Sequence, residues 1–259
     1  MNNRKHPRLL AKASLALGLL LLSGSLTLNI FLFRYAVNYY RQLNEVRLSP
    51  LGLEQHPLTP DAPVTDATLV VFLGDSRAAE WPAPDVPGIQ FSNLGIGAQT
   101  SAQVLLRYEA HVAPLEPDII VLQVGINDLK TIPLFPERRE ELVTDCQDNI
   151  AAIVTKARAD GALVILSTVF PAGDVPLQRR PFWSTEIDAA IVEVNAFLPT
   201  LADDHILVFD SYSLLADDEG SLSSDYARDE LHLNSAGYER LNEALAQLLG
   251  TVVESTDVE

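Results

Sequence analysis

Four short strings occur in one order along the 259-residue chain: Gly74-Asp75-Ser76, Asn93-x-Gly95-x-Gly97, Gly125-Ile126-Asn127-Asp128 and Asp229-x-x-His232. Together they hold a hydroxyl, backbone and side-chain amides, and a carboxylate–imidazole pair. That is the equipment for acyl transfer through an activated serine. On helix-like backbone, a carboxylate three residues before an imidazole comes close enough to fix its tautomer. The other ring nitrogen of His232 can then take the proton of Ser76. The Asn127 amide can donate to the negative oxygen of a tetrahedral intermediate, an effect worth roughly 3–4 kcal/mol in related settings. Each string also has an ordinary reading. Asp75 or Ser76 can merely cap a helix, Gly-x-Asn-Asp can form a turn, and Asp–His pairs are common on surfaces. Among the five histidines (His6, His56, His111, His205, His232), only His232 stands at a strand–helix connection with an acid three residues earlier.

The elements that must position these groups follow from hydrophobic periodicity. Residues 67–73, 118–124, 163–168 and 205–209 are short apolar runs, as expected of strands buried on both faces, and 89–92 reads as a further short strand. Helical patterns cover about 100–112, 136–160, 184–203 with Ser184 as N-cap, and 235–249. Strand–helix alternation predicts a parallel sheet with helices on both faces, and ligands at its carboxyl edge. Every string above falls just after a predicted strand or just before a helix.

In this order and context, Gly74-Asp75-Ser76, the Asn93–Thr100 segment, Gly125-x-Asn127-Asp128 and Asp229-x-x-His232 resemble the four blocks of the SGNH/GDSL hydrolase family. The resemblance covers roughly residues 67–250. A G-x-S-x-G elbow is absent, which argues against an α/β-hydrolase. The resemblance implies an α/β fold, a flavodoxin-like three-layer α/β/α sandwich with about five parallel strands. It implies ester hydrolysis through an acyl-enzyme, without metal or organic cofactor. Position by position, it implies Ser76 as nucleophile and first oxyanion donor through its N–H, and Asn127 as side-chain oxyanion donor. His232 becomes the general base and later acid, oriented by Asp229. The second block departs from the pattern. The usual oxyanion glycine stands five residues after the asparagine, where this chain has Ala98, with Gly97 just before it; either N–H is a candidate. Arg77, directly after the serine, is another departure. It is a candidate contact to an anionic or sugar-bearing substrate, or a bridge to a neighbouring acid. The loop from Phe170 to Trp183 holds Arg179, Arg180, Phe182 and Trp183 at the expected substrate edge. That suits sugar stacking, a lipid-facing lip, or an ordinary loop anchored by Trp183.

Composition narrows the field. Hydrophobic residues make up 47% of the chain, enough for a sizeable core. Residues 1–47 hold seven Lys/Arg and one acid, leaving eleven basic against 34 acidic residues, a net of −23, in the remainder. Such a body repels nucleic acid. The single cysteine, Cys146, permits no intramolecular disulfide and no cysteine-based metal cluster. Gly95-x-Gly97-x-x-Thr100 lacks the third glycine of a dinucleotide fingerprint and follows a second strand.

Ala13–Phe33 is a run of 21 uncharged residues rich in Leu, Ile and Phe. At about 1.5 Å per residue it can cross a hydrocarbon core of roughly 30 Å. Arg4, Lys5, Arg8 and Lys12 precede it and place the N-terminus in the cytoplasm, although Arg34, Arg41 and Arg47 follow. The expected organisation is a basic tail (1–12), a transmembrane signal anchor (13–33), a juxtamembrane linker broken by prolines (34–66), the catalytic domain (67–250) and an acidic tail (251–259). The competing reading is a signal peptide cleaved near Ser23-Gly24-Ser25, giving a secreted protein. Either way the domain is periplasmic or extracellular. The leading functional expectation is a membrane-anchored serine esterase acting on acyl esters, acetyl esters included, of small molecules or of envelope or extracellular glycans. Lipid esters and thioesters are further substrates. An acyltransferase using the same triad on a glycan acceptor, and a non-catalytic glycan- or protein-binding domain, are the alternatives.

Overall fold

The structure, a computed structural model, describes residues 6–58 and 67–256. Arg4 and Lys5 of the basic tail, Pro60 and Pro63 of the expected linker, and residues 257–259 lie outside the described residues. The chain divides into two units, Met1–Pro50 and Leu51–Glu259.

The first unit is one helix, α1 (His6–Leu48). Its segment Leu9–Leu48 is, among the described residues, the one helix long and apolar enough to cross a membrane, and no side chain from Leu9 to Phe33 is buried. Helix continues fifteen residues into the stretch expected as linker, 34–66. No Gly or Pro interrupts residues 34–48, and Pro50 then stops it.

The second unit runs β1 (Thr68–Gly74), α2 (Ser76–Ala79), β2 (Ile89–Gly95), α3 (Ser101–His111), β3 (Ile119–Gln123), α4 (Ile126–Leu129), α5 (Arg139–Ala159), β4 (Leu163–Ser167), α6 (Thr185–Phe197), β5 (Ile206–Phe209), α7 (Ser211–Leu215) and α8 (Ser235–Thr256). The five strands are parallel in the order β2-β1-β3-β4-β5. This is the flavodoxin-like order, which reverses direction between β1 and β3 and opens a crevice at their carboxyl ends. Ser76 follows β1 and Asn127 follows β3, so the two flank that reversal point.

Alternation along the strands feeds two cores. Val71, Leu73, Ile120, Leu122, Val164 and Leu166 pack with Val104 and Tyr108 of α3, Ile150 and Val154 of α5, and Ile187 and Ile191 of α6. Val70, Phe72, Val121 and Ile165 pack with Trp81 and with Leu241, Leu245 and Leu249 of α8. The stripe on α8 continues to Val252, which is why this helix runs past the expected boundary at residue 250. The helix expected over 184–203 instead ends at Phe197. Pro199 lacks the N–H that would continue it, and Leu198–Leu201 tighten into a 3-10 turn.

Candidate active site

Gly74 ends β1 at φ +152, and a Cβ there would collide with the Gln123 carbonyl of β3. The chain therefore turns sharply off the sheet edge at a position only glycine tolerates. Asp75 then caps α2 by accepting from the Arg77 N–H at 2.8 Å. Ser76 becomes the first residue of that helix, where the backbone N–H has no intrahelical acceptor. Asn93 holds α2 from the side. Its Nδ2 donates to the Ala78 carbonyl at 2.9 Å and to the Trp81 carbonyl at 3.2 Å, and its Oδ1 accepts from the Gly95 N–H at 2.9 Å. A side chain at Gly95 would clash with the Ala79 backbone, so the second string lets β2 and the serine-bearing helix pack directly together.

His232 arrives from the loop before α8. Asp229 accepts hydrogen bonds from the Leu231 and His232 N–H groups, both at 2.9 Å, and its two oxygens lie 2.9 and 3.0 Å from His232 Nδ1. Partial burial works against the charge on Asp229, but these hydrogen bonds and the imidazole outweigh it and hold the carboxyl below its usual range. The opposite ring nitrogen, Nε2, sits 3.0 Å from Ser76 Oγ, across 156 residues of sequence. A hydroxyl, an imidazole and a carboxylate thus form one connected line.

Of the two roles expected for Arg77, a substrate contact or a bridge to an acid, the structure shows a structural tie of another kind. Its side chain is fully buried, and among the described residues its guanidinium forms no ion pair and bonds carbonyls instead. Nε donates to the Leu231 carbonyl at 2.8 Å, Nη1 to Phe170 at 3.0 Å and Nη2 to Pro171 at 3.4 Å, with the Phe170 ring centroid 5.2 Å away. Desolvation by burial pulls its pKa down to about 10, leaving it charged at neutral pH. It ties α2 to the loop that delivers His232.

On the other side of Ser76, Asn127 is 4% exposed and donates from Nδ2 to the Gln99 carbonyl at 3.0 Å. Asp128 accepts from the N–H of Ser101 at 2.9 Å and from its hydroxyl at 2.7 Å, fastening the third string to the start of α3. Gly97 adjoins the serine, since a Cβ there would lie 4.0 Å from Ser76 Cβ. Among the described residues, the N–H groups of Ser76, Gly97 and Ala98 meet no protein acceptor. Ala98, not Gly97, takes the left-handed conformation, at φ +63. For alanine that geometry costs roughly 1–2 kcal/mol. Ala98→Gly is expected to raise stability by about 0.5–1 kcal/mol after the entropy of the freer unfolded glycine is deducted. Urea midpoints of the two proteins check this; a lower midpoint for the variant would count against the strain.

Asp75 is wholly buried, and among the described residues its Oδ2 has no hydrogen-bond partner. Burial pushes its pKa from 3.8 up to about 6, with Arg77 and Lys130 opposing the shift. The folded state therefore holds this proton more tightly than the unfolded chain does. The group's contribution to stability is complete below pH 3.8 and is lost as pH rises through 6. Asp75→Asn cannot ionise, so it is expected to gain about 2–3 kcal/mol on the wild type between pH 4 and pH 7. Parallel pH profiles of unfolding free energy for the two proteins would contradict this.

In the loop after β4, Arg179 pairs with the buried carboxylate of Glu230, the neighbour of Asp229. Trp183 packs partly on the core and lines a cleft of about 320 Å³ with Gly173, Asp174, Arg180 and Asp188. Both residues anchor the loop, and Trp183 keeps one surface toward that cleft. Cys146 is buried and its thiol is pushed well above its usual range by that burial, with no sign of a nucleophile. Among the described residues, no three His, Cys, Asp or Glu side chains stand together as a metal site would require. Sequence reasoning missed Gln99 and Arg107, both buried beside the site. The available signal was on α3, where Arg107 and His111 share the helical repeat of the apolar Val104 and Tyr108, and all four are buried.

The pattern of the GDSL-like lipase/acylhydrolase family matches residues 72–240. Platelet-activating factor acetylhydrolase IB subunit alpha2 of Rattus norvegicus is 27% identical over 199 residues, covering 73% of this chain and 80% of that protein. A Bacteroides fragilis structure proposed to be an acylhydrolase superposes with a TM-score of 0.62 at 26% identity, covering 78% of this chain and 95% of that one. A GDSL-like lipase from Bacteroides thetaiotaomicron gives 0.58 at 23% identity, covering 78% and 97%.

Proposed function

Because this chain belongs to the GDSL-like lipase/acylhydrolase family of ester hydrolases, we propose that it is a membrane-anchored serine esterase that removes short acyl groups, acetyl among them, through an acyl-enzyme. The observation that carries the mechanism is the line Ser76 Oγ–His232 Nε2 at 3.0 Å and His232 Nδ1–Asp229 at 2.9 Å. Ser76 Oγ attacks the ester carbonyl while His232 Nε2 takes its proton. Asp229 holds the ring by Nδ1 and stabilises the imidazolium. Negative charge on the carbonyl oxygen is met by the Ser76 N–H, an N–H of the Gly97–Ala98 turn and Asn127 Nδ2. Collapse of the intermediate expels the alcohol, which takes the proton from His232. Water then attacks the acyl-serine by the same route, returning the free acid and Ser76.

Support for a short acyl group comes from the curated relatives, which are acetylhydrolases by name. Anchoring rests on the apolar length of α1 and on the basic residues before it, which orient the N-terminus to the cytoplasm and the domain outside. The acidic body, with a net of −23 beyond residue 47, fits a neutral small-molecule or glycan ester better than a polyanion. The test is labelling of the full chain with a fluorophosphonate, followed by mass mapping of the adduct. An adduct on Ser76, weakened in His232→Ala, is the expected result. Folded protein that stays unlabelled would instead favour a glycan- or protein-binding domain.

A further inference from the structure

Leu51–Leu58 lies upstream of β1 and outside the stretch that matches the family pattern. It is nonetheless bonded into the loop that carries the candidate oxyanion donors. The link is Gln99, which is 4% exposed. Its Oε1 accepts from Arg107 Nε at 2.6 Å, and its Nε2 donates to the Leu51 carbonyl at 2.8 Å. Its backbone carbonyl accepts from Asn127 Nδ2 at 3.0 Å. Arg107 in turn holds the carbonyls of Gly74 at 3.1 Å and Leu94 at 2.8 Å, at the carboxyl ends of β1 and β2. The upstream segment is shaped for the contact. Gly52 takes φ +71, and a Cβ on it would touch Gln99 Nε2 and Ile96 Cγ2, both at 3.6 Å. His56 shares a small cavity with Gly95, Ile96 and His111, and Leu58 packs on the core.

We propose that Gln99 is a positioning residue for catalysis, and that residues 51–58 complete the scaffold through which it holds Asn127. This rests on reading Asn127 as an oxyanion donor. An amide bonded at both its oxygen and its nitrogen cannot swing, so the backbone beneath it is fixed. That backbone supplies the carbonyl that orients Asn127. It also retains Ala98, one residue earlier, in the left-handed conformation that an unanchored turn would relax from. A donor displaced by a fraction of an ångström still binds ester but meets the developing oxyanion poorly. The cost therefore falls on kcat.

Two full-length variants separate the link from the fold. Gln99→Glu still accepts from Arg107 but cannot donate to Leu51. Gly52→Val strains the upstream turn and presses on Gln99 and Ile96, while every residue of the sheet itself is kept. Each is expected to lower kcat for a soluble acetyl ester about tenfold, with KM within about twofold and the melting temperature within a few degrees. In a double-mutant cycle with Asn127→Ala, neither should add more than about twofold, because both act through the same amide. Wild-type kcat in either variant, with Asn127→Ala crippled, overturns the proposal alone. So do losses that multiply in the cycle, which would place the effect elsewhere. Wild-type activity in Asn127→Ala itself would defeat the oxyanion reading and this inference with it.

Discussion

Ser76→Ala is expected to lower kcat for a soluble acetyl ester by about 10,000-fold or more, while leaving the melting temperature nearly unchanged. The size follows from the proposed mechanism, in which loss of the hydroxyl prevents the acyl-enzyme from forming and leaves only background hydrolysis by positioned water. The unchanged stability follows from the contacts, because among the described residues the hydroxyl's one protein partner is His232 Nε2 at 3.0 Å. His232→Ala should fall by a comparable factor, since an unassisted serine hydroxyl is a poor nucleophile at neutral pH. The double variant should be no worse than either single one, as expected for residues that act as a unit. Initial rates on purified full-length protein decide the matter. Full activity in Ser76→Ala, or a rate indifferent to His232→Ala, would remove the triad.

Asn127→Ala is expected to cost about 100- to 1,000-fold in kcat with little change in KM. The amide lies in α4, just beyond β3, where one N–H is used on the Gln99 carbonyl at 3.0 Å. In the proposed mechanism the second N–H donates to the substrate oxygen, an interaction that strengthens only as that oxygen becomes negative. Ground-state binding therefore hardly registers its loss. Asn127→Asp is a sharper control. It keeps the shape, loses both N–H donors and adds a negative charge where negative charge develops, so it should be at least as damaging as alanine. A change confined to KM, or a variant Asp more active than Ala, would show that Asn127 works on the fold and not on the oxyanion.

Much of this was legible in the chain because it is local. The apolar runs that became β1, β3, β4 and β5 were bounded by their own periodicity, and β2 was placed correctly although it extends to Gly95. The continuous 21-residue apolar stretch announced a helix of membrane-crossing length, while its extension to Leu48 depended on the absence of breakers up to Pro50. Asp229 and His232 could be paired on paper, since i and i+3 meet wherever the backbone turns like a helix.

Arg77 and Ala98 show where reading stopped. An arginine beside a serine suits a substrate contact or a structural bridge, and only its partners decide between them. Those partners are carbonyls 93, 94 and 154 residues away, and their approach buries the guanidinium completely. Whether Gly97 or Ala98 supplies the second backbone donor was likewise open; the positive φ falls on Ala98, in a turn that precedes Gln99, itself bonded to the distant Leu51 and Arg107. Residue types, spacing and order thus determined by themselves the chemistry on offer, the parallel α/β class and the apolar helix, since all three depend on interactions within a turn or a strand. Only the tertiary structure decided that Ser76 meets His232, that Arg77 is a buried tie and that Leu51 reaches Gln99 beside the Gly97–Ala98 turn. Each is a contact between distant segments, fixed by which faces the folded sheet and its helices bring together.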